Sequence, residues 1–454
     1  MNRATLTALY LDEVKRSGAT ARELVGRQAD SERHNAFYHG RYLSRPLFLG
    51  HDECHQVYTD LETLRSALAS LPDRLFGGDL AAFGRAVGMT EVQISAILRG
   101  RSTTVTKQAR SDMYVDATGR FQLLELNMGS GLGGMDTSEI CAALMEHPLL
   151  EKFAEEHRLA YVNTMQERVN NTFAETGFEP GSRPMMVITD WPSSYESLGK
   201  YMHLTAARFT EDGFDAHACH IGQLEVRDEG VWLGNRRVDI INRLFMIEDL
   251  LEYPDAPALM EPILNAAARG WVKFFTPMDT GVYASKGALA MLSDEANRSK
   301  FDDGELASLD RILPWTRMVR PGPVTLEDGR RVDLLDYALT HQRDLALKPT
   351  LMHGGIGVVL GWRADTSAEL WEEQIRAALE GPYVIQRRVR PAPELFPGDD
   401  GQLVPFIVNW GVYTVVNGYG GVHARATTVE SDVEVIAISN GAFSGGCLHQ
   451  LPAE

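Results

Sequence analysis

Cysteine is scarce in this chain: four in 454 residues, Cys54, Cys141, Cys219 and Cys447, with no CxxC pair. That spacing suggests neither a disulfide framework nor a zinc knuckle and reads as reduced cytosolic thiols. Long hydrophobic runs are missing too. No stretch reaches the ~18 apolar residues of a membrane span. The N-terminus, MNRATLTALYLDEVKRSG, sets Asp12 and Glu13 where a signal peptide needs an unbroken apolar core. The expectation is a soluble, cytoplasmic protein with no membrane partner. Positive charge is also short, 44 Lys and Arg against 62 Asp and Glu, for a net charge of −18. Such a surface repels a phosphodiester backbone unless its cations are segregated, so nucleic acid is not an expected partner. There is no Gly-x-Ser-x-Gly elbow, no cysteine has a persuasive His partner in sequence, and no internal repeat or low-complexity tract is evident. What is present is ordinary globular composition, 44% hydrophobic and 23% charged, in a chain long enough for about three domains.

The first 100 residues or so read mostly as helix, with Leu61, Leu64, Leu68 and Leu71 recurring at the spacing of a one-sided stripe. From Arg110 to Asn127 the pattern becomes strand, turn and strand. Ser138–Leu144 and Leu149–Asn170 read as helices. A Pro/Gly-rich break at Glu179–Pro184 marks a boundary, after which strands at Met185–Thr189, Ala216–Ile221 and Val238–Leu244 alternate with a helix near Tyr195–Asp212, as in a small α/β layer. Beyond Lys273 apolar strands Leu345–Pro349 and Val358–Trp362 flank the loop MHGGIG, followed by a helix over Ser367–Leu379 and a strand at Tyr383–Val389. This order suits a flexible flap closing over a nucleotide.

The strongest constellation is a pair of pairs. Arg110 and Asp112 are two apart, and Glu125 and Asn127 follow with the same spacing, so each pair shares one face of its strand. If the hairpin pairs in register, Asp112, Glu125 and Asn127 converge as hard oxygen ligands suited to magnesium shared with phosphate, and Arg110 can neutralise that phosphate. The bland alternative is an exposed hairpin carrying charged pairs. Against it, LLELN sets Glu125 and Asn127 in an apolar strand, where an unpaired buried carboxylate is costly. Directly after comes GSGLGG, Gly129–Gly134, which matches GxGxxG with Glu151 about 20 residues on. A tight turn needing small residues reads better than a dinucleotide site there, because the preceding strand already ends in acidic and amide groups.

Lys348 precedes Gly354, Gly355, Gly357 and Gly361, the reverse of a Walker A order, so this is not a P-loop. A lysine inside the apolar strand LALKP wants an anionic partner, and the glycines would let backbone amides approach phosphates. A plain glycine-rich hairpin loop fits equally well. Lys286, in SKGALAML, is a second candidate for phosphate or adenine contact. Gln386–Val389 can present backbone groups to an adenine edge, and Arg425, in GGVHARAT, can meet a phosphate or substrate carboxylate through its planar fork. His51, Cys54 and His55 lie close together on an expected loop without a second ligand cluster. Phe83–Gly100 has the outline of a helix-turn-helix, but the acidic balance favours a packed helical hairpin.

Together, ARSDMYV, LLELNMGSG, ASKGALAML, LALKPTLMHGGIGVVLG, YVIQRRV and GGVHARAT resemble the ATP-grasp superfamily, in the circularly permuted arrangement of the glutathionylspermidine synthetase-like proteins. The resemblance covers roughly residues 105–450. It implies an α/β (α+β ATP-grasp) fold with a helical N-terminal segment. Residues 1–180 would hold that segment and the metal-binding half, 181–272 a small α/β domain, and 273–454 the lysine and flap half. Permutation explains why the acidic motif precedes the lysines. The resemblance puts the metal ligands on Asp112, Glu125 and Asn127 and a phosphate arginine on Arg110. It puts the nucleotide lysines on Lys286 and Lys348, the flap on Gly354–Gly357 and the hinge on Gln386–Val389. At the hinge Arg387 and Arg388 stand where a more acidic or apolar stretch is common. An amidase half, known in bifunctional relatives, has no counterpart here.

ATP and magnesium are the implied cofactors, and carboxylate–amine ligation through an acyl phosphate the implied activity. A small amino acid or amine would be the partner, with a γ-glutamyl dipeptide as one product, and the 350–361 loop would close to keep water out. A polyamine-conjugating ligase and a catalytically silent nucleotide binder are the alternatives. A homodimer is the expected assembly.

Overall fold

Apolar stripes and turn residues resolve the chain into a mixed α/β molecule with several sheets. The computed structural model describes the chain apart from residues 28–34, 36, 432, 434 and 454. The leucine stripe becomes the 26-residue helix His51–Phe76, with Leu61, Leu64, Leu68 and Leu71 buried. His51, Cys54 and His55 lie on this helix rather than on a loop, because Gly50 starts it and Glu53 caps the N-cap backbone. Cys54 points into the core. Among the described residues no group of three or more His, Cys, Asp or Glu is placed to hold a metal ion.

Two shorter helices, Leu80–Ala86 and Glu91–Arg99, form a hairpin. Its turn needs Gly88, which has φ +94°, and a Cβ there would come 2.1 Å from Pro382 Cβ. The hairpin therefore packs directly against the approach to the strand Tyr383–Arg387.

The central sheet is antiparallel and joins distant parts of the chain. Phe121–Met128 pairs with Ala109–Val115, which pairs with Leu403–Val415, then Gly418–Thr428 and Phe443–Gly445, while Glu394–Pro397 adds to the start of Leu403–Val415. A second antiparallel sheet runs in the order Thr316–Met318, Tyr383–Arg387, Leu345–Pro349, Val359–Leu360. A third sheet is parallel, in the order Lys273–Phe275, Ile240–Arg243, Met185–Asp190, Asp215–His220. Its two central strands, Ile240–Arg243 and Met185–Asp190, are buried on both faces, as parallel strands usually are, and Pro192–Glu211 packs on it. Strand Lys273–Phe275 comes from just past the expected boundary at 272.

The helix expected over Leu149–Asn170 is instead two, Pro148–His157 and Thr164–Thr176, separated by the short strand Leu159–Ala160. Arg158 takes a left-handed conformation, φ +54°, and stops the first helix. Neither glycine nor proline marks that break, so composition gave no warning.

Candidate functional site

The hairpin pairs so that Asp112 stands opposite Glu125 and Arg110 opposite Asn127, with a bulge directly after Asp112. Cross-strand partners share a face, so all four side chains project to one side. Leu403–Val415 lies along the other edge with Gly411 beside Asp112. A Cβ on Gly411 would come within 2.9 Å of Arg110 Cδ, so this glycine leaves the lane in which Arg110 lies. The next strand over carries Arg425, opposite Asn409.

Asp112 is buried and both its oxygens are engaged. Arg110 donates from Nε to Oδ1 at 2.8 Å and from Nη2 to Oδ2 at 3.2 Å. Arg425 Nη2 stands 2.6 Å from Oδ1. Asn127 Nδ2 donates to Asp112 Oδ2 at 3.2 Å and to Glu125 Oε1 at 3.4 Å. Burial alone would raise the Asp112 carboxyl, but Arg110 and then Arg425 outweigh it and hold it well below the usual carboxylate range. Burial likewise works against the charge on Arg110, and Asp112, with Tyr413 and Glu125, more than offsets it, so the guanidinium stays protonated.

The lysines enter from the second half of the chain. Lys286 opens the helix Lys286–Ser293, capped by the Ser285 hydroxyl. Its Nζ donates to Met352 O at 2.7 Å and lies 3.5 Å from Glu125 Oε2. Lys348 donates to Leu124 O at 3.1 Å and to Gln386 Oε1 at 2.6 Å. Desolvation and the neighbouring Lys286 push Lys348 down to about 8, and Glu125 only partly opposes them. Burial raises Glu125, but Lys286, Lys348 and His353 together bring it below its ordinary value despite repulsion from Asp112.

These groups meet in one cleft of about 860 Å³ lined by Asp112, Glu125, Lys286, Lys348, Gly354, Gly355, Gln386, Arg387, Val389 and Arg425. Arg110 and Asn127 line an adjoining cleft instead. Gly357 lines neither of these and turns against Pro349, whose Cγ would sit 2.8 Å from an added Cβ. The hinge differs from expectation. Arg387 gives its side chain to Glu327 and to Tyr337 Oη, and its N–H to Trp315 O. Arg388 N–H goes to Asp344 O. Two main-chain donors expected to face an adenine edge are therefore already bonded.

Sequence reasoning missed Asn409, Tyr114 and Trp362, which also line the cleft. Trp362 carries the Arg388 guanidinium 4.4 Å from its ring centroid, a flat wall near the hinge. Its placement beside Gly361, at the end of the glycine-rich loop, was the available signal.

The charge sum is informative. Lys286, Lys348, Arg388 and Arg425 supply four positive charges and Asp112 and Glu125 two negative ones, leaving +2, since Arg387, which also lines the cleft, is paired with Glu327. That excess suits an anion of about two net charges, such as a triphosphate carrying one divalent cation. Two carboxylates and one side-chain amide are the donor types a hard cation takes, although here Asn127 turns its Nδ2 to both carboxylates and would have to rotate to offer its oxygen. Three protein ligands fit magnesium, which keeps waters and shares phosphate oxygens, better than calcium, which takes six to eight oxygens.

The glycine-rich loop 129–134 follows an antiparallel strand, so it does not sit at the head of a parallel βαβ unit. Gly134 has φ +82°, and a Cβ there would fall 2.1 Å from His423 Nδ1.

Among solved structures, the chain is similar to a glutathione synthetase-like effector from Globodera pallida in its apo form. The likeness has a TM-score of 0.56 at 10% identity and covers 90% of each chain. The two share a fold. A protein from Methylobacillus flagellatus KT, provisionally named a gamma-glutamylcysteine synthetase, aligns over 86% of this chain and 87% of its own. At 12% identity and a TM-score of 0.40 it supports no argument. No family model and no curated protein matches this sequence.

Proposed function

We propose that the protein is an ATP-dependent carboxylate–amine ligase of circularly permuted ATP-grasp type, joining small amino acids through an acyl phosphate. The observation that carries this reading is the single cleft in which carboxylates of the early hairpin face lysines and flap glycines of the later half, with two positive charges in excess. ATP would phosphorylate a substrate carboxylate. The amine then forms the C–N bond, the C–O bond to phosphate breaks, and phosphate leaves with the electron pair while the amine loses a proton. Hydroxide is a poor leaving group, and phosphorylation removes that obstacle.

This chain's part is alignment and charge neutralisation, with no side-chain nucleophile. Asp112, Glu125 and Asn127 would hold magnesium, which when bound would neutralise phosphate charge. Arg425, Lys286 and Lys348 would grip the phosphates, and Arg110 orients Asp112. Gly354 and Gly355 would bring flap amides close. The activated carboxylate would be the side chain of glutamate, giving a γ-glutamyl dipeptide, with an unusual small amino acid such as propargylglycine as acceptor.

The test is ADP release and product mass after incubation with ATP, magnesium, glutamate and pools of amino acids and polyamines. Amide product from glutamate and a small amino acid is the expected result. Glu125→Ala should lower turnover by at least ~100-fold with the fold intact. ADP release that needs no acceptor, or near-normal turnover in Glu125→Ala, would overturn the reading.

A further inference from the structure

A second cleft of about 850 Å³ adjoins the first, with Arg110 and Asn127 on its wall and the loop Gly129–Gly133 along one side. Its charged groups are unequal in their commitments. Arg243 is buried and commits four of its five N–H donors, to Thr276 O, Phe245 O, Pro277 O and Thr280 Oγ1 at 2.7–2.8 Å. Arg110 is bound to Asp112 and to Gly133 O. Glu248 is different. Its side chain is only 10% exposed, yet neither carboxylate oxygen accepts a hydrogen bond. Leaving a buried carboxylate without donors is costly, and such groups in native proteins call for an explanation.

The nearest basic nitrogen to Glu248 comes from the MHGGIG loop. His353 Nε2 stands 3.3 Å from Glu248 Oε1, within ion-pair range but not aligned as a hydrogen bond. His353 belongs to the MHGGIG loop, and Met352, one residue earlier, takes the Lys286 hydrogen bond. One loop therefore touches Lys286 of the first cleft and Glu248 of the second. A structural alternative exists, in which Glu248 merely compensates the buried charge of Arg243. It leaves the missing donors unexplained, because Arg243 spends its hydrogen bonds on other groups.

We propose that Glu248 is the recognition site for the primary ammonium of the acceptor substrate, with His353 holding the carboxylate until that ammonium arrives. An ammonium brings three donors to a carboxylate with unfilled acceptor sites. The cleft places such a ligand next to Asn127 and Arg110, on the far side of the hairpin residues that face the first cleft. The ligand class is a small primary amine, whether the amino group of an amino acid or the end of a polyamine. This assignment rests on the ligase reading for its role and on the cleft alone for binding, so the two can fail separately.

The experiment uses the full chain and direct titration calorimetry with L-alanine and, separately, spermidine, without nucleotide. One of the two is expected to bind, and the arm that gives heat identifies the amine source. Glu248→Gln should weaken it by at least ~10-fold, while magnesium–ATP binds as in the wild type. His353→Gln frees the carboxylate and should tighten amine binding, the opposite sign from Glu248→Gln. Glu248→Asp, which keeps the charge but withdraws it, replaces the glutamine variant if that does not fold. Equal amine affinity in wild type and Glu248→Gln, failure of both amines to bind, or weaker binding in His353→Gln would each overturn the proposal. Amine binding that depends on Glu248 in a protein that releases no ADP would retain the site and discard the ligase reading.

Discussion

If the cleft takes a nucleotide as proposed, Lys348 gives the sharpest handle on that binding. Desolvation and the adjacent Lys286 bring its pKa from the ordinary 10.5 down to about 8, with Glu125 resisting. A polyphosphate arriving in the cleft would supply the missing anion and push the value back up. If it returns to 10.5, the bound state holds a proton that the free protein gives up near 8. Nucleotide affinity then falls as pH rises, by about 30-fold between pH 7 and pH 9.5. The free protein responds in the opposite sense. Its unfolded chain keeps the lysine proton until 10.5 and its folded form releases it near 8, so stability rises with pH between these values, and saturating nucleotide cancels the rise.

The assay is the Kd of a non-hydrolysable ATP analogue with magnesium across pH 7–9.5, in wild type and in Lys348→Met. The wild type should lose affinity steadily above pH 8. The methionine variant should bind more weakly throughout but with a nearly level profile. A level wild-type profile, or the same slope in the variant, would refute the assignment of Lys348 as the titrating phosphate ligand.

Gly88→Ala should destabilise the protein by about 2–4 kcal/mol, seen as a lower thermal midpoint, because φ +94° and a 2.1 Å approach to Pro382 Cβ leave no room for a methyl group. Unchanged melting would show that the hairpin does not press on that loop. Buried Asp279 is pushed up to about 7 by desolvation, against its backbone hydrogen bonds and Arg243. The unfolded chain loses this proton near 3.8, so the Asp279 contribution is full below that value and is lost as pH rises through 7, by up to about 4 kcal/mol. Asp279→Asn should therefore melt higher than wild type at pH 8 and much the same at pH 4, and a parallel pair of pH–stability curves would count against it. Amide hydrogen exchange across residues 350–358 should slow on adding the ATP analogue and magnesium; equal exchange with and without ligand would remove the flap from the mechanism.

The hairpin was readable because both of its signals are local. Two-residue spacing fixes a face, and an apolar strand around Glu125 and Asn127 implies that the carboxylate has partners. The lysines were readable as residue types out of place, above all Lys348 between Leu347 and Pro349. Other features depend on contacts that no local pattern encodes. The Gln386–Val389 main chain was expected to face an adenine edge, yet Trp315, some 70 residues earlier, takes the Arg387 N–H. Glu248 carries no sequence signal, since a glutamate at a short helix start is an ordinary surface residue. It becomes unusual only when the fold buries it without donors. The break at Arg158 escaped for a related reason: a left-handed stop was made without the glycine that normally announces it.

The N-terminal helices show how far site geometry can depend on segments without chemistry of their own. Their sequence pattern said only that they pack against something. In the structure the Val87 carbonyl, in the turn of the helical hairpin, accepts the Thr350 hydroxyl at 2.8 Å, and the Thr350 carbonyl accepts the Lys286 N–H at 2.8 Å. Gly287 lies so close to Val87 that an added Cβ would come within 3.0 Å of it. One turn of an apolar hairpin thus ties the root of the flap to the helix that presents the first lysine. Because Lys348 stands two residues before Thr350, the same anchor fixes the spacing between the two ammonium groups. If the lysines grip phosphate as proposed, displacing the hairpin should therefore alter that binding through both at once.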